Sequence, residues 1–105
     1  MELTEEKLKE ILKKYPDVII EFFSPFCSPC MLMDREKLEP LIKKLKEKYG
    51  EKLFFERVNV VKNPELAKKF DIKTSMTFLF FKNGKLVNRI FGTKVEKILK
   101  EMLES

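Results

Sequence analysis

The sequence predicts one α/β domain over residues 1–105, a four-stranded mixed sheet with helices flanking it. Three observations predict it. Short β-branched and aromatic runs alternate with amphipathic helical stretches, the pattern of a β-α-β crossover. A Lys82-Asn83-Gly84-Lys85 turn joins the last two of those runs as a hairpin, because Asn-Gly tolerates the positive φ of a tight turn. Hydrophobic residues make up 44% of the chain and ten of them are Phe, enough apolar surface to stabilise a domain of this size without structural disulfides.

The elements follow in order. Leu8, Ile11, Leu12 and Tyr15 recur at helical spacing after Thr4, a suitable N-cap, with Leu3 and Leu8 placed for a hydrophobic staple and Pro16 as the stop. Val18 to Phe23 is apolar on both faces except at Glu21, the signature of a covered central strand with one anomalous acid. A second helical stretch begins near the cysteines and runs through Leu38, Leu41, Ile42, Leu45 and Tyr49 to Gly50. Its apolar phase slips between Met33 and Pro40, and proline removes a helical hydrogen bond, so a kink or break belongs there.

Leu53 to Val60 is the next strand, and Asn63-Pro64-Glu65 opens a short helix to Phe70, with Asn63 as cap and proline in the first turn. Thr77 to Phe81 and Leu86 to Phe91 are the hairpin strands, and the β-spaced phenylalanines, Phe22, Phe23, Phe54, Phe55, Phe78, Phe80, Phe81 and Phe91, are expected in the sheet core. Thr93 to Glu96 forms a capping box before Val95, Ile98, Leu99, Met102 and Leu103. The expected order is α-β-α-β-α-β-β-α.

Charge and termini exclude several classes. Lys plus Arg number 22 against 17 acids, a net charge of +5, but the lysines are scattered through helical stretches beside glutamates, so no nucleic-acid partner is expected. No run approaches membrane-spanning length, and Met1 to Glu6 lacks the basic start and apolar stretch of a secretory signal; a cytoplasmic monomer with no membrane partner is the expectation. Phosphate loops, nucleotide fingerprints and hydrolytic acid pairs are missing from the sequence.

Both cysteines lie in Ser24-Pro25-Phe26-Cys27-Ser28-Pro29-Cys30, directly after the first strand and at the start of a helix. Cysteines three apart in a first helical turn can close a disulfide, and the outer one faces unpaired backbone N–H groups and the positive end of the helix dipole. Such a site favours a thiolate, the nucleophile of thiol-disulfide exchange. Cys27 then attacks and Cys30 resolves, while Pro29 stiffens the turn. Two rival readings of the pair stay open: a zinc or iron-sulfur ligand pair, which in a chain with two cysteines and no histidine requires a second subunit, and a purely structural disulfide, whose short loop constrains the unfolded chain little.

Val18 to Cys30, Asn59 to Pro64, Phe80 to Lys85 and Phe91-Gly92 together resemble the thioredoxin family over nearly the whole chain, in the same order. The resemblance implies a thioredoxin-like fold lacking the usual first strand and a thiol-disulfide oxidoreductase acting on protein disulfides. It implies no cofactor beyond the redox-active disulfide Cys27-Cys30, and an external electron donor similar to thioredoxin reductase. Glu21 occupies the position of the family's buried aspartate, which implies a role in accepting and returning the Cys30 proton; Arg57 falls near a family lysine and is its expected partner. Phe26, Ser28, Pro29, Ser75, Met76 and Gly92 would form the substrate-binding rim.

Several positions depart from the pattern. Phe26 replaces tryptophan, Ser28 replaces glycine, and Glu21 adds a methylene. The segment from Cys30 to Pro40 is longer than in common thioredoxins and resembles thioredoxin-related domains of bacterial thiol-disulfide interchange proteins. Met76 stands where the family has a cis-proline, and a non-proline cis bond costs about 3–4 kcal/mol, so Ser75-Met76 is expected to be trans. Altered substrate handling follows from that substitution, with gap-filling by a core methionine as the plain alternative. A redox-impaired interaction module is the alternative function, as is a dimer bridged by metal through the same cysteines.

Overall fold

The structure is a computed structural model that describes residues 3–27, 34–73, 76–91 and 95–104. Its elements are α1 (Glu5–Lys14), β1 (Asp17–Phe23), a π-helical turn (Asp34–Leu38) running into α2 (Glu39–Tyr49), β2 (Leu53–Asn59), α3 (Pro64–Lys69), β3 (Thr77–Lys82), β4 (Lys85–Phe91) and α4 (Val95–Glu104). The strands form one sheet in the order β2-β1-β3-β4, with β1 and β2 parallel and the other pairs antiparallel. This is the mixed four-stranded α/β architecture the alternating pattern predicts.

Because side chains alternate along a strand, β1 feeds two separate cores. Val18, Ile20 and Phe22 join Val58, Leu79 and Phe81 under Leu3, Leu8 and Leu12 at the α1 end and Leu66 of α3. Ile19 joins Phe78, Phe80 and Ile90 on the other face, covered by Ile42 and Leu45 of α2 and Leu99 of α4. Both faces of the central strands are covered, which explains why β1 and β3 are apolar almost throughout.

Local chemistry sets the element ends. Thr4 Oγ1 accepts from the Lys7 N–H at 3.2 Å, and Leu3 and Leu8 are both buried, so the N-cap and staple are in place. The phase slip upstream of Pro40 takes the form of the π-helical turn; its wider winding absorbs the out-of-step apolar spacing before Pro40 starts α2 where no intrahelical donor is needed. Gly50 ends α2 at φ 58°. Asn63 departs from expectation: its side chain does not cap α3 but donates through Nδ2 to Asn59 O at 3.0 Å, while Asn59 Oδ1 accepts from the Val61 N–H at 2.9 Å. The β2–α3 connection is thus an asparagine-stabilised turn rather than a simple cap.

At the hairpin, Asn83 and Gly84 have φ of 52° and 83°, and the Asn83 N–H donates to Pro16 O at 2.8 Å, fastening the turn to the end of α1. A Cβ at Gly84 would meet only Leu12 O at 3.8 Å, so space is not the obstacle there. Backbone conformation is, and Gly84→Ala is expected to lower stability by about 1 kcal/mol, the left-handed penalty, measured by denaturant unfolding. Phe91 is a second departure: at the end of edge strand β4 it is 57% exposed rather than in the core, because it projects from the sheet face opposite to Ile90, which takes the place in the α2/α4 layer.

Candidate functional site

The C-terminal end of β1 carries the candidate site. β1 stops at Phe23, and the next four residues, Ser24-Pro25-Phe26-Cys27, close a turn in which the Cys27 N–H donates to Ser24 O at 3.2 Å. Serine at the first position and proline at the second suit such a turn, because proline presets its φ. Ser24 Oγ also accepts from the Phe26 N–H at 3.2 Å. The turn holds Cys27 half-buried against the α2/α4 core layer and leaves Phe26 84% exposed beside it. Cys27 is disulfide-bonded.

Met76 belongs to the same core layer as that against which Cys27 packs. It is 3% exposed and has φ 62°, a left-handed conformation unusual for a side chain with this bulk. The side chain is thus a core one, the plain alternative, rather than part of an exposed substrate-binding rim, and the backbone there is one that proline, locked near −65°, does not adopt. Met76→Ala is expected to cost about 2–4 kcal/mol, because it empties a buried site while leaving the strained φ in place; equilibrium unfolding measures it. The Ser75-Met76 peptide bond lies outside the described residues, as do Ser28, Pro29, Cys30, Ser75, Gly92 and the Thr93 capping box.

Glu21 is fully buried, with 0% exposure, on the α2/α4 side of β1. In register it stands between Arg57 of β2 and Phe78 of β3. Arg57 Nε donates to Glu21 Oε1 at 3.1 Å, and the guanidinium lies 4.3 Å from the centre of the Phe23 ring. Burial penalises a charged carboxylate, and this stacked cation compensates by a charge-assisted hydrogen bond. The acid is sealed from solvent, and the expected Arg57 partner is the observed one.

A groove of about 580 Å³ runs between α2 and β2 down to this pair, with Leu38, Ile42 and Phe55 as its apolar wall. Glu21 thus lines a groove beside the layer that holds Cys27. Sequence reasoning missed the Phe23 ring as a support for Arg57. The available signal was spacing: Phe23 is two residues from Glu21 and so on the same strand face.

No group of three or more potential metal-ligating side chains occurs among the described residues, and no described helix is long and apolar enough to cross a membrane. The family model described as Thioredoxin matches residues 1–105. The chain belongs to the thioredoxin family. It is 33% identical to a thioredoxin of Buchnera aphidicola over 105 residues, covering 99% of this chain and 88% of that one. Among solved structures, the thioredoxin of Fasciola hepatica superposes with a TM-score of 0.72 at 31% identity, covering 94% of this chain and 88% of that chain. A mutant thioredoxin from Halobacterium salinarum superposes at 0.78 with 23% identity, covering 98% of this chain and 85% of that chain, a likeness of fold. This thioredoxin-family chain is accordingly an enzyme of the protein-disulfide oxidoreductase class.

Proposed function

We propose that this chain reduces or exchanges protein disulfides through a Cys27-Cys30 dithiol. The observation that carries the reading is Cys27 itself: a half-buried, disulfide-bonded sulfur held by a turn at the end of the central strand, beside a fully presented phenylalanine. In the reduced enzyme, the Cys27 thiolate attacks one sulfur of a substrate disulfide. A mixed disulfide forms, and the other substrate sulfur leaves as a thiolate that takes up a proton. Cys30, giving its proton to Glu21, then attacks the Cys27 sulfur and releases the second substrate thiol, to which the proton returns.

Two electrons and two protons pass to the substrate, and the Cys27-Cys30 disulfide remains. An external dithiol donor of the thioredoxin-reductase kind restores the pair, with no further cofactor. Phe26 offers a substrate backbone an apolar rest, with Ser28, Pro29, Ser75 and Gly92 completing the rim, while Met76, buried in the core, supports the site from within. The reading suits a single-domain monomer in a reducing compartment such as the cytoplasm, where a donor keeps the pair reduced.

One observation favours a second reading, an interaction module with impaired turnover: the left-handed Met76 backbone, beside which a substrate strand would have to lie. An insulin-type disulfide-reduction assay with dithiothreitol separates the two. The oxidoreductase accelerates turbidity well beyond dithiothreitol alone, whereas the module forms its own disulfide readily yet leaves the rate at background.

A further inference from the structure

The lysines that look scattered in the sequence are gathered by the fold. On the outer side of the α2/α4 layer, a groove of about 550 Å³ lies between the helices, lined by Lys37, Lys44 and Lys48 from one side and by Lys97 and Lys100 from α4. Among the described residues, no carboxylate lines it. These five cations equal the net charge of the whole chain, +5. Lys37, Lys44, Lys97 and Lys100 are exposed and take part in no ion pair among the described residues.

Helical spacing explains the segregation. Lys44 and Lys48 are one turn apart and share a face of α2, and Lys37 lines the same groove from the π-helical turn before it, while Glu39 and Glu47 turn toward the separate groove above Glu21. Like charges set so close raise one another's energy, and an anionic occupant would relieve them. The floor is apolar: exposed Pro40, half-buried Leu41 and buried Leu45.

We infer that this groove docks an acidic amphipathic helix of a partner protein. A concave apolar floor between cationic walls matches a helix with a leucine stripe flanked by glutamates, the helix-in-groove mode. The stretch from Lys37 to Lys48 spans about 16 Å at 1.5 Å per residue, room for three turns of such a helix. Single-stranded nucleic acid fits less well, since among the described residues neither an aromatic stacking platform nor an arginine lines the groove. A lipid surface would need apolar side chains that protrude, and the leucines here are recessed.

The test uses the oxidised full chain and a cysteine-free fluorescent peptide with leucines at helical spacing flanked by glutamates, so its outcome is independent of the thiol chemistry. Anisotropy should show the amphipathic peptide binding about tenfold or more tighter than a scramble of the same composition. Lys44→Glu/Lys97→Glu should weaken it about tenfold or more, and the milder Lys44→Gln/Lys97→Gln by a smaller factor. Lys13→Glu/Lys82→Glu, a reversal of equal charge away from the groove, should change it less than about twofold. Equal binding of the scramble, an equal loss in the remote variant, or tighter binding of a single-stranded oligonucleotide or of anionic vesicles that the groove reversal abolishes, would overturn the proposal.

Discussion

Replacing Cys27 by serine is expected to bring disulfide reduction down to the rate of the chemical reductant alone. A serine hydroxyl is not ionised near neutral pH and does not attack sulfur, so no mixed disulfide forms and Cys30 has nothing to resolve. The loss exceeds about a hundredfold, larger than any positioning effect in the same site. The variant should fold: Cys27 is half-buried, and its backbone bond to Ser24 O does not involve the side chain. Its stability should match that of reduced wild type and fall about 2 kcal/mol below the oxidised form, the loop-entropy value for a four-residue cross-link. Parallel turbidity and unfolding measurements check both parts. Retained catalysis by Cys27→Ser would remove the proposed chemistry altogether.

Glu21→Leu is expected to do the opposite to stability and activity, raising the first by about 1–3 kcal/mol and slowing resolution of the mixed disulfide by about a hundredfold. The carboxylate is fully buried beside Phe78 and the wall of Leu38, Ile42 and Phe55, where an apolar side chain of similar volume carries no desolvation penalty. Removing one partner of a buried ion pair usually strands the other at a cost of about 3–5 kcal/mol. Here the other is Arg57, whose side chain is 33% exposed and stacked on Phe23 beside an open groove, so it can turn to water.

Glu21→Gln separates the roles. It preserves an acceptor for Arg57 but cannot carry the proton, and should share the kinetic defect with little of the stability gain. Thermal unfolding with single-turnover kinetics reads both. A loss of several kcal/mol in Glu21→Leu, with resolution unchanged, would make the acid a structural element only.

Much of this was legible because the local signals were redundant. The order of elements followed from Thr4, Pro16, Gly50 and Asn83-Gly84, each of which acts through its own backbone and depends little on distant residues. Glu21 stood out for the same reason: one acid in a strand apolar on both faces needs a partner, and parallel pairing with β2 brings Arg57 opposite it. What the sequence conceals depends on register and helix phase. The tie from Asn63 to Asn59 O requires knowing how the connection after β2 folds back.

Exposure of Phe91 depends on its lying on the face of β4 opposite to Ile90 and the α2/α4 layer, and alternation alone does not reveal which face is covered. The lysine groove is the clearest case. Lys37, Lys44 and Lys48 are interleaved with glutamates in sequence and separated from them only by winding, and Lys97 and Lys100 reach the same groove through the packing of α4 on α2's side of the sheet.

The assignment of Cys27 as the attacking sulfur is tested most directly by trapping. Reduced Cys30→Ser protein, mixed with a protein disulfide, should accumulate a covalent mixed disulfide that peptide mapping by mass spectrometry places on Cys27, while Cys27→Ser under the same conditions accumulates none. A conjugate forming on Cys30 in Cys27→Ser, with Cys30→Ser inert, would contradict the account.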